Sequence, residues 1–233
     1  MELKNKVVLI TGSSEGIGRE IAILFAKENS KIIITYNNNK KKGEEVLNEC
    51  ARIAEAILLH LDVTNEESMQ KCVEDSIKKF GIIDILVNNA GVISRKNFIG
   101  QSNEEIDSQI DVNLRGLIKI TKMVLSYLSK KGMIINIASG AGKNGFAGLV
   151  TYCATKFGVR GFTQALSKEL PYIKIFSVNP GRIATRMSDF DGTHPRDVAD
   201  IIIKTAKEEL NLESGGDVDI FWKKGETFAR TTF

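Results

Sequence analysis

Short runs of Val, Ile and Leu alternate with longer segments of helical periodicity along this chain, and that alternation limits the fold more than any other feature. The runs are Val7 to Thr11, Lys31 to Tyr36, Ala56 to Leu61, Ile85 to Asn88, Met133 to Ile137, Ile173 to Val178 and Val218 to Phe221. They are apolar continuously rather than at every second position, which suits strands buried on both faces, as in a parallel sheet covered by helices. Helices are expected over Gly16 to Glu28, Lys40 to Arg52, Glu66 to Phe80, Glu104 to Ser129, Thr151 to Leu170 and Arg196 to Asn211. In the first, Ile17, Ile21, Leu24 and Phe25 recur on one helical face. With right-handed crossovers, these elements predict a doubly wound parallel α/β sheet of about seven strands with helices on both faces. No linker rich in Pro, Gly or Ser divides the chain, so one domain over residues 1–233 is expected.

Composition excludes several classes. Of 233 residues, 42% are hydrophobic, 26% are charged and only 3 are proline, which fits a globular chain and not a disordered or collagen-like one. The 32 basic and 29 acidic side chains are interspersed and leave a net +3, so no basic face argues for nucleic acid. The apolar stretch Val7 to Ile10 is too short for a signal peptide, and no run approaches the roughly 18 apolar residues of a membrane span. A cytoplasmic location is expected. Cys50, Cys72 and Cys153 are odd in number and far apart, which predicts reduced thiols. His60, at a strand end, and His194, in a loop, lack partners at ligand spacing, so no metal is expected.

The first strand runs into Thr11-Gly12-Ser13-Ser14-Glu15-Gly16-Ile17-Gly18, with a helix starting inside it. Gly12 allows a sharp turn, Gly16 lets backbone approach a ligand, and Gly18 lets the helix pack close to the sheet. Free N–H groups at the helix start then face an anion. The G-x-x-x-G-x-G spacing lacks the Gly-Lys-Ser/Thr ending of a triphosphate loop and differs from G-x-G-x-x-G; a plain strand-to-helix turn is the alternative. In Rossmann-like dinucleotide folds the second strand ends in an acidic residue that binds the ribose of NAD. Here Tyr36 stands there, followed by Asn37, Asn38, Asn39 and Lys40 to Lys42. The missing carboxylate and nearby cations favour NADP(H) over NAD(H). Against this, Glu15 sits in the phosphate turn, and Lys40 to Lys42 also suit the solvated start of a helix.

Tyr152 and Lys156 lie four apart on a predicted helix and so share a face, and Ser139 follows a strand end, where ligands bind in open α/β sheets. A tyrosine titrates near pH 10, so proton transfer at pH 7 asks for a depression of about 3 units, roughly 4 kcal/mol. An ammonium about 4 Å away at an effective dielectric near 20 supplies an amount of that order.

The motifs Thr11 to Gly18, Asn88-Asn89-Ala90-Gly91, Asn113 in IDVNLRG, Ser139, Tyr152-x-x-x-Lys156 and Asn179-Pro180-Gly181 fall in the order and spacing of the short-chain dehydrogenase/reductase family, over about residues 5 to 187. The chain most resembles the family's 3-oxoacyl-acyl-carrier-protein reductase branch. The resemblance implies an oxidoreductase acting on a small-molecule carbonyl or alcohol. Tyr152 moves the proton, Ser139 hydrogen-bonds the reacting oxygen, Lys156 binds the nicotinamide ribose and lowers the tyrosine pKa, and Asn113 holds a water leading to solvent. It also implies cofactor contacts from Ser14, Ile17, Asp62, Val63, Asn89, Ala90, Gly91, Pro180, Gly181, Ile183 and Thr185. Asp62 alternatively caps the next helix. Self-association as a homodimer or homotetramer is implied too, with no nucleic-acid or membrane partner.

Two departures qualify this. The substrate lid, about residues 186–195, is short, which weakens substrate inference. The tail GGDVDIFWKKGETFARTTF lacks the family's glycine-rich ending, which bears on tetramer assembly; Trp222 and Phe228 there pack at an interface or cover their own sheet. A non-catalytic dinucleotide-binding sensor is the alternative from another class.

Overall fold

A computed structural model describes residues 1–185, 190–223 and 226–232; of Trp222, Lys223 and Glu226 only the backbone is described. Among these described residues eight strands form one sheet: β1 Val7–Ile10, β2 Lys31–Tyr36, β3 Ala56–His60, β4 Ile83–Asn88, β5 Leu128–Ile137, β6 Lys174–Pro180, β7 Asp217–Lys223 and β8 Glu226–Thr232. Their order is β3-β2-β1-β4-β5-β6-β7-β8. The first seven run parallel, and β8 pairs antiparallel with β7. The seven expected strands are present; the eighth, in the tail, was not foreseen.

Helices α1 Gly16–Lys27, α2 Lys40–Cys50, α3 Glu66–Phe80, α4 Asn103–Ile110, α5 Leu117–Leu125, α6 Val150–Glu169 and α7 Pro195–Ala206 cover the sheet. Both faces of β1 are buried, which is why its four residues read as an unbroken apolar run. Val8 and Ile10 join Ile21 and Phe25 of α1 and Val198 and Ile202 of α7. Val7 and Leu9 join Met69 and Val73 of α3 and Ile120 and Val124 of α5. The parallel expectation thus follows from two-sided burial. Cys50, Cys72 and Cys153 are free and buried, and burial pushes the Cys50 and Cys72 thiols up to about 12. Among the described residues no helix is long and apolar enough to cross a membrane.

The expected helix over Glu104 to Ser129 is divided. It runs as α4, then a π-helical turn over Asp111–Gly116, then α5, and Leu128 to Gly132 already belong to β5. Gly116 lies under the loop after β3, where an added Cβ would stand 2.6 Å from the Val63 carbonyl oxygen. The last expected helix also ends early, at Ala206, with Glu208 and Asn211 at positive φ.

The strand order reverses between β1 and β4, each the neighbour of the other, and chain leaves their carboxyl ends in opposite directions. Such switch points leave a crevice at the strand ends.

Candidate active site

A cleft of about 1230 Å³ opens there. One end is walled by Gly12, Ser14, Glu15, Gly16 and Ile17 of the glycine turn, with Asn37 after β2 and Asp62 and Val63 after β3. Asn89, Ala90 and Gly91 after β4 form the middle, and Ser139, Tyr152, Lys156, Pro180, Gly181, Ile183 and Thr185 the other end. Eighteen of the sequence-predicted residues therefore meet in one cavity.

The glycine turn has the geometry of an anion cradle. Gly12 has φ +63°, and a Cβ there would come within 3.0 Å of the Ala90 Cα. A Cβ on Gly18 would lie 2.5 Å from both Asn89 Nδ2 and the Gly12 carbonyl oxygen, so α1 approaches the turn as only glycine permits. Glu15 occupies the N-cap of α1 without a side-chain bond to the helix N–H groups, leaving the positive end of the helix to the cleft. Asn89 braces the turn, its Nδ2 donating to the carbonyls of Thr11 and Gly12, both at 2.9 Å. Thr11 Oγ1 accepts from the backbone N–H groups of Asn89 and Ala90 at 2.9 Å each. A pyrophosphate fits this donor set.

Three expected contacts lie elsewhere. Gly18 sits beneath the cleft rather than in its wall. Tyr36 turns its ring edge-on to His60, centroids 5.4 Å apart, and only its neighbours Asn37, Asn38 and Asn39 face the cavity. Asn113 is 1% exposed behind the wall. Its Oδ1 accepts from the Val92 N–H at 2.7 Å and its Nδ2 donates to the Val92 carbonyl at 2.8 Å and to Thr155 Oγ1 at 3.3 Å. Asn113 thus fixes a wall segment from inside the π-helical turn, a deformation often found at functional sites. Asp62 caps no helix; its Oδ1 accepts from Thr64 N and Oγ1, and Asn65 caps α3. Asn88 ties β4 to its neighbours, donating to Thr121 Oγ1 and Asn136 Oδ1 at 2.8 Å each.

Ser139, Tyr152 and Lys156 converge. Ser139 Oγ accepts from Ala141 N at 3.1 Å, at the head of a 3₁₀ turn over Gly140–Gly142. Burial pushes the Tyr152 phenol above its ordinary pKa, against a hydrogen bond with Ser139 and the charge of Arg95, which pull it down. Lys156 is 5% exposed, and its Nζ donates to the Ile137 carbonyl at 2.8 Å and lies 5.6 Å from the centre of the Tyr152 ring. Burial lowers its pKa to about 8. The expected depression of the phenol by Lys156 is therefore not what this structure has: desolvation acts on both groups and favours the neutral form of each.

Sequence reasoning missed other wall residues. Arg19, Lys42, Arg95, Phe146, Phe190 and His194 line the cavity. All lie in or beside motifs or segments already noted, Arg19 next to Gly18, Lys42 in the lysine run, Arg95 after Gly91, Phe146 between Ser139 and Tyr152, and Phe190 and His194 in the expected lid, but no residue type or spacing marked them as facing the cleft. His194 is the N-cap of α7, its Nδ1 accepting from Arg196 N at 3.2 Å. In the expected lid, residues 186–189 lie outside the described residues; Ala184 N donates to Thr193 O at 2.8 Å across the loop's base.

The fold, the anion cradle and the Ser139–Tyr152–Lys156 group define a dinucleotide-dependent oxidoreductase of the open α/β type. The short chain dehydrogenase family profile matches residues 6–195, and the chain belongs to the short-chain dehydrogenase/reductase family. It is 36% identical over 194 residues to a 3-oxoacyl-acyl-carrier-protein reductase of Thermotoga maritima, covering 81% of this chain and 78% of that one. It is also 36% identical over 192 residues to one of Synechocystis, covering 80% and 78%. Among solved structures, a dehydrogenase/reductase of Sinorhizobium meliloti superposes with a TM-score of 0.88 at 24% identity, covering 94% of this chain and 95% of that one. A Serratia marcescens short-chain dehydrogenase/reductase does so at 0.89 and 24%, covering 95% and 98%.

Proposed function

We propose that this chain interconverts a carbonyl and a secondary alcohol as one catalytic domain, with Tyr152 as general acid and base and NADPH as the preferred coenzyme. The observation that carries this is that Ser139 and Tyr152 stand together in the cleft wall, with the Lys156 amine buried behind them and donating to the Ile137 carbonyl. When bound, the nicotinamide supplies a hydride to the carbonyl carbon, and the residues of the chain handle the proton. The protonated Tyr152 phenol donates to the carbonyl oxygen as the new C–H bond forms, which yields the alcohol; burial weakens the phenol as an acid, and Ser139 and the charge of Arg95 act against that weakening. Ser139 Oγ holds that oxygen in line. Lys156 returns a proton to Tyr152, and a pKa near 8 suits an amine to release and regain one at neutral pH. Asn113 acts through Val92, as a positioning residue.

The names of the two bacterial relatives make 3-oxoacyl thioesters the first substrates to try, followed by sugars and small diketones. Absorbance of reduced coenzyme should fall with at least one of them. Tight NADPH binding without turnover on any would favour the dinucleotide sensor instead. Exposed Ile110, Ile118, Val150 and Phe157, on α4, α5 and α6, support self-association.

Coenzyme choice rests on the adenosine end of the cleft, where no acidic residue ends β2 and Lys42 pairs with Glu15 across the rim. A 2′-phosphate would compete with Glu15 for Lys42. Lys42→Ala is expected to raise the KM for NADPH about threefold to tenfold, the size of an exposed charge-assisted bond, with NADH unchanged. Glu15→Gln should lower the KM for NADPH by a few-fold, about the size of one released exposed pair. Steady-state titration of both coenzymes checks this; an equal change for NADH would point to NAD.

A further inference from the structure

Tyr152, Lys156 and Arg160 stand at i, i+4 and i+8 along α6, so a second cation continues the stripe that carries the proposed chemistry. Arg160 does not face the cavity. Its Nε donates to both carboxylate oxygens of Asp217 at 3.1 Å, its Nη2 binds the same group, and its Nη1 donates to the Gly142 carbonyl at 2.7 Å. Gly142 closes the 3₁₀ turn that Ser139 opens, and an added Cβ there would lie 2.7 Å from the Lys156 carbonyl oxygen. The next residue, Lys143, reaches the same hairpin. Its Nζ donates to Asp219 Oδ2 at 2.6 Å and to Thr232 Oγ1 at 2.8 Å. Asp219 Oδ1 in turn accepts from Asn179 Nδ2 at 2.9 Å, next to the Pro180-Gly181 wall.

We infer that the C-terminal hairpin β7–β8 positions Ser139: Asp217 and Asp219 hold Arg160 and Lys143, which fix the far end of the serine's turn against α6. Ser139 and Tyr152 sit on different elements, and the distance between their hydroxyls depends on this short turn. The turn's own bonds are few, Gly142 N to Ser139 O at 2.8 Å and Lys143 N to Gly140 O at 3.1 Å among them. Asp217 is 0% exposed, and a buried ion pair contributes little net stability over apolar residues of equal volume. Its directed bonds to one carbonyl instead fix where that carbonyl lies. The inference rests on the proposed roles of Ser139 and Tyr152.

A double-mutant cycle tests it, with full-length Arg160→Gln, Ser139→Ala and the double variant compared by kcat, by coenzyme Kd from fluorescence quenching and by amide exchange across residues 139–143. Arg160→Gln is expected to lower kcat about tenfold when Ser139 is present and less than twofold when it is Ala, a coupling within the range for residues acting as a unit. Coenzyme Kd should stay within twofold, exchange in the turn should speed up, and Arg160→Lys should restore part of kcat. Lys143→Gln, at the more exposed of the two cations, should couple to Ser139 in the same sense and serves if Arg160→Gln does not fold. Equal losses in both serine backgrounds would overturn the inference while leaving the site's assignment intact. An unchanged kcat for Ser139→Ala alone would instead refute the assignment, and this inference with it.

Discussion

Tyr152→Phe is expected to lower carbonyl reduction at pH 7 by at least about a hundredfold, within the range that acid–base catalysis contributes. The substitution removes one oxygen and keeps the ring, so the packing of α6 against the cleft wall stays. Ser139 can still hydrogen-bond the substrate oxygen, but a serine hydroxyl does not give up its proton near neutral pH and cannot replace the phenol. Burial raises the Tyr152 pKa, so the native side chain carries its proton throughout the physiological range and reduction needs no prior protonation step. Coenzyme affinity should stay within about twofold, because losing one hydroxyl leaves the ring volume, the cradle at Gly12 to Gly18 and the Lys156 bond to the Ile137 carbonyl in place. Initial rates together with fluorescence titration separate the two effects. A variant as fast as the parent would remove Tyr152 from the mechanism.

Lys156→Met is expected to separate activity from stability. The Met keeps most of the buried stem but loses the amine, and reduction should again fall by at least about a hundredfold, because the proton lost by Tyr152 is no longer replaced. The native enzyme should lose reduction rate as pH rises through about 8, where Lys156 gives up its charge, and the variant should lack that limb. Stability behaves in the opposite sense. The folded pKa of about 8 lies below the ordinary 10.5, so the unfolded chain binds more protons between these values and stability rises with pH across that window. Below pH 8 the buried ammonium costs about 3 kcal/mol, offset in part by its bond to the Ile137 carbonyl, about 1 to 3 kcal/mol to leave unmade. Lys156→Met should therefore melt no lower than the parent at pH 7 and should lose the rise between pH 8 and 10.5. Thermal melts across that range check this, and a variant that melts several degrees lower at pH 7 would contradict it.

The sheet was legible because two-sided burial writes itself as unbroken apolar runs, as in Val7 to Ile10 with alternate residues entering opposite cores. The cleft was legible because the glycine turn and the Tyr152–Lys156 spacing are local patterns. What escaped was long-range or sterically set. The π-helical turn at Asp111–Gly116 has no periodicity distinct from the helices around it; it forms where Asn113 clamps Val92 and Gly116 passes the Val63 carbonyl. β8 is a largely exposed edge strand with no apolar run to mark it, held by β7 and by the stacking of Phe221 on Phe228, centroids 5.9 Å apart. Phe228 stacks on its own sheet but stays exposed, as does Phe221, and the side chain of Trp222 lies outside the described residues. Asp217 pairs with a residue 57 positions earlier, and no local pattern announces such a partner. The ionisation of Lys156 depends on complete burial, which spacing along a helix does not reveal.

Incubating the enzyme with a reducible carbonyl and NADPH deuterated at C4 of the nicotinamide tests the central claim most directly. The account predicts an alcohol with deuterium on the carbinol carbon and a solvent-derived proton on oxygen, formed at least a hundredfold more slowly by Tyr152→Phe, on the order of acid–base catalysis. An alcohol free of coenzyme deuterium, or the same rate from both enzymes, would contradict it.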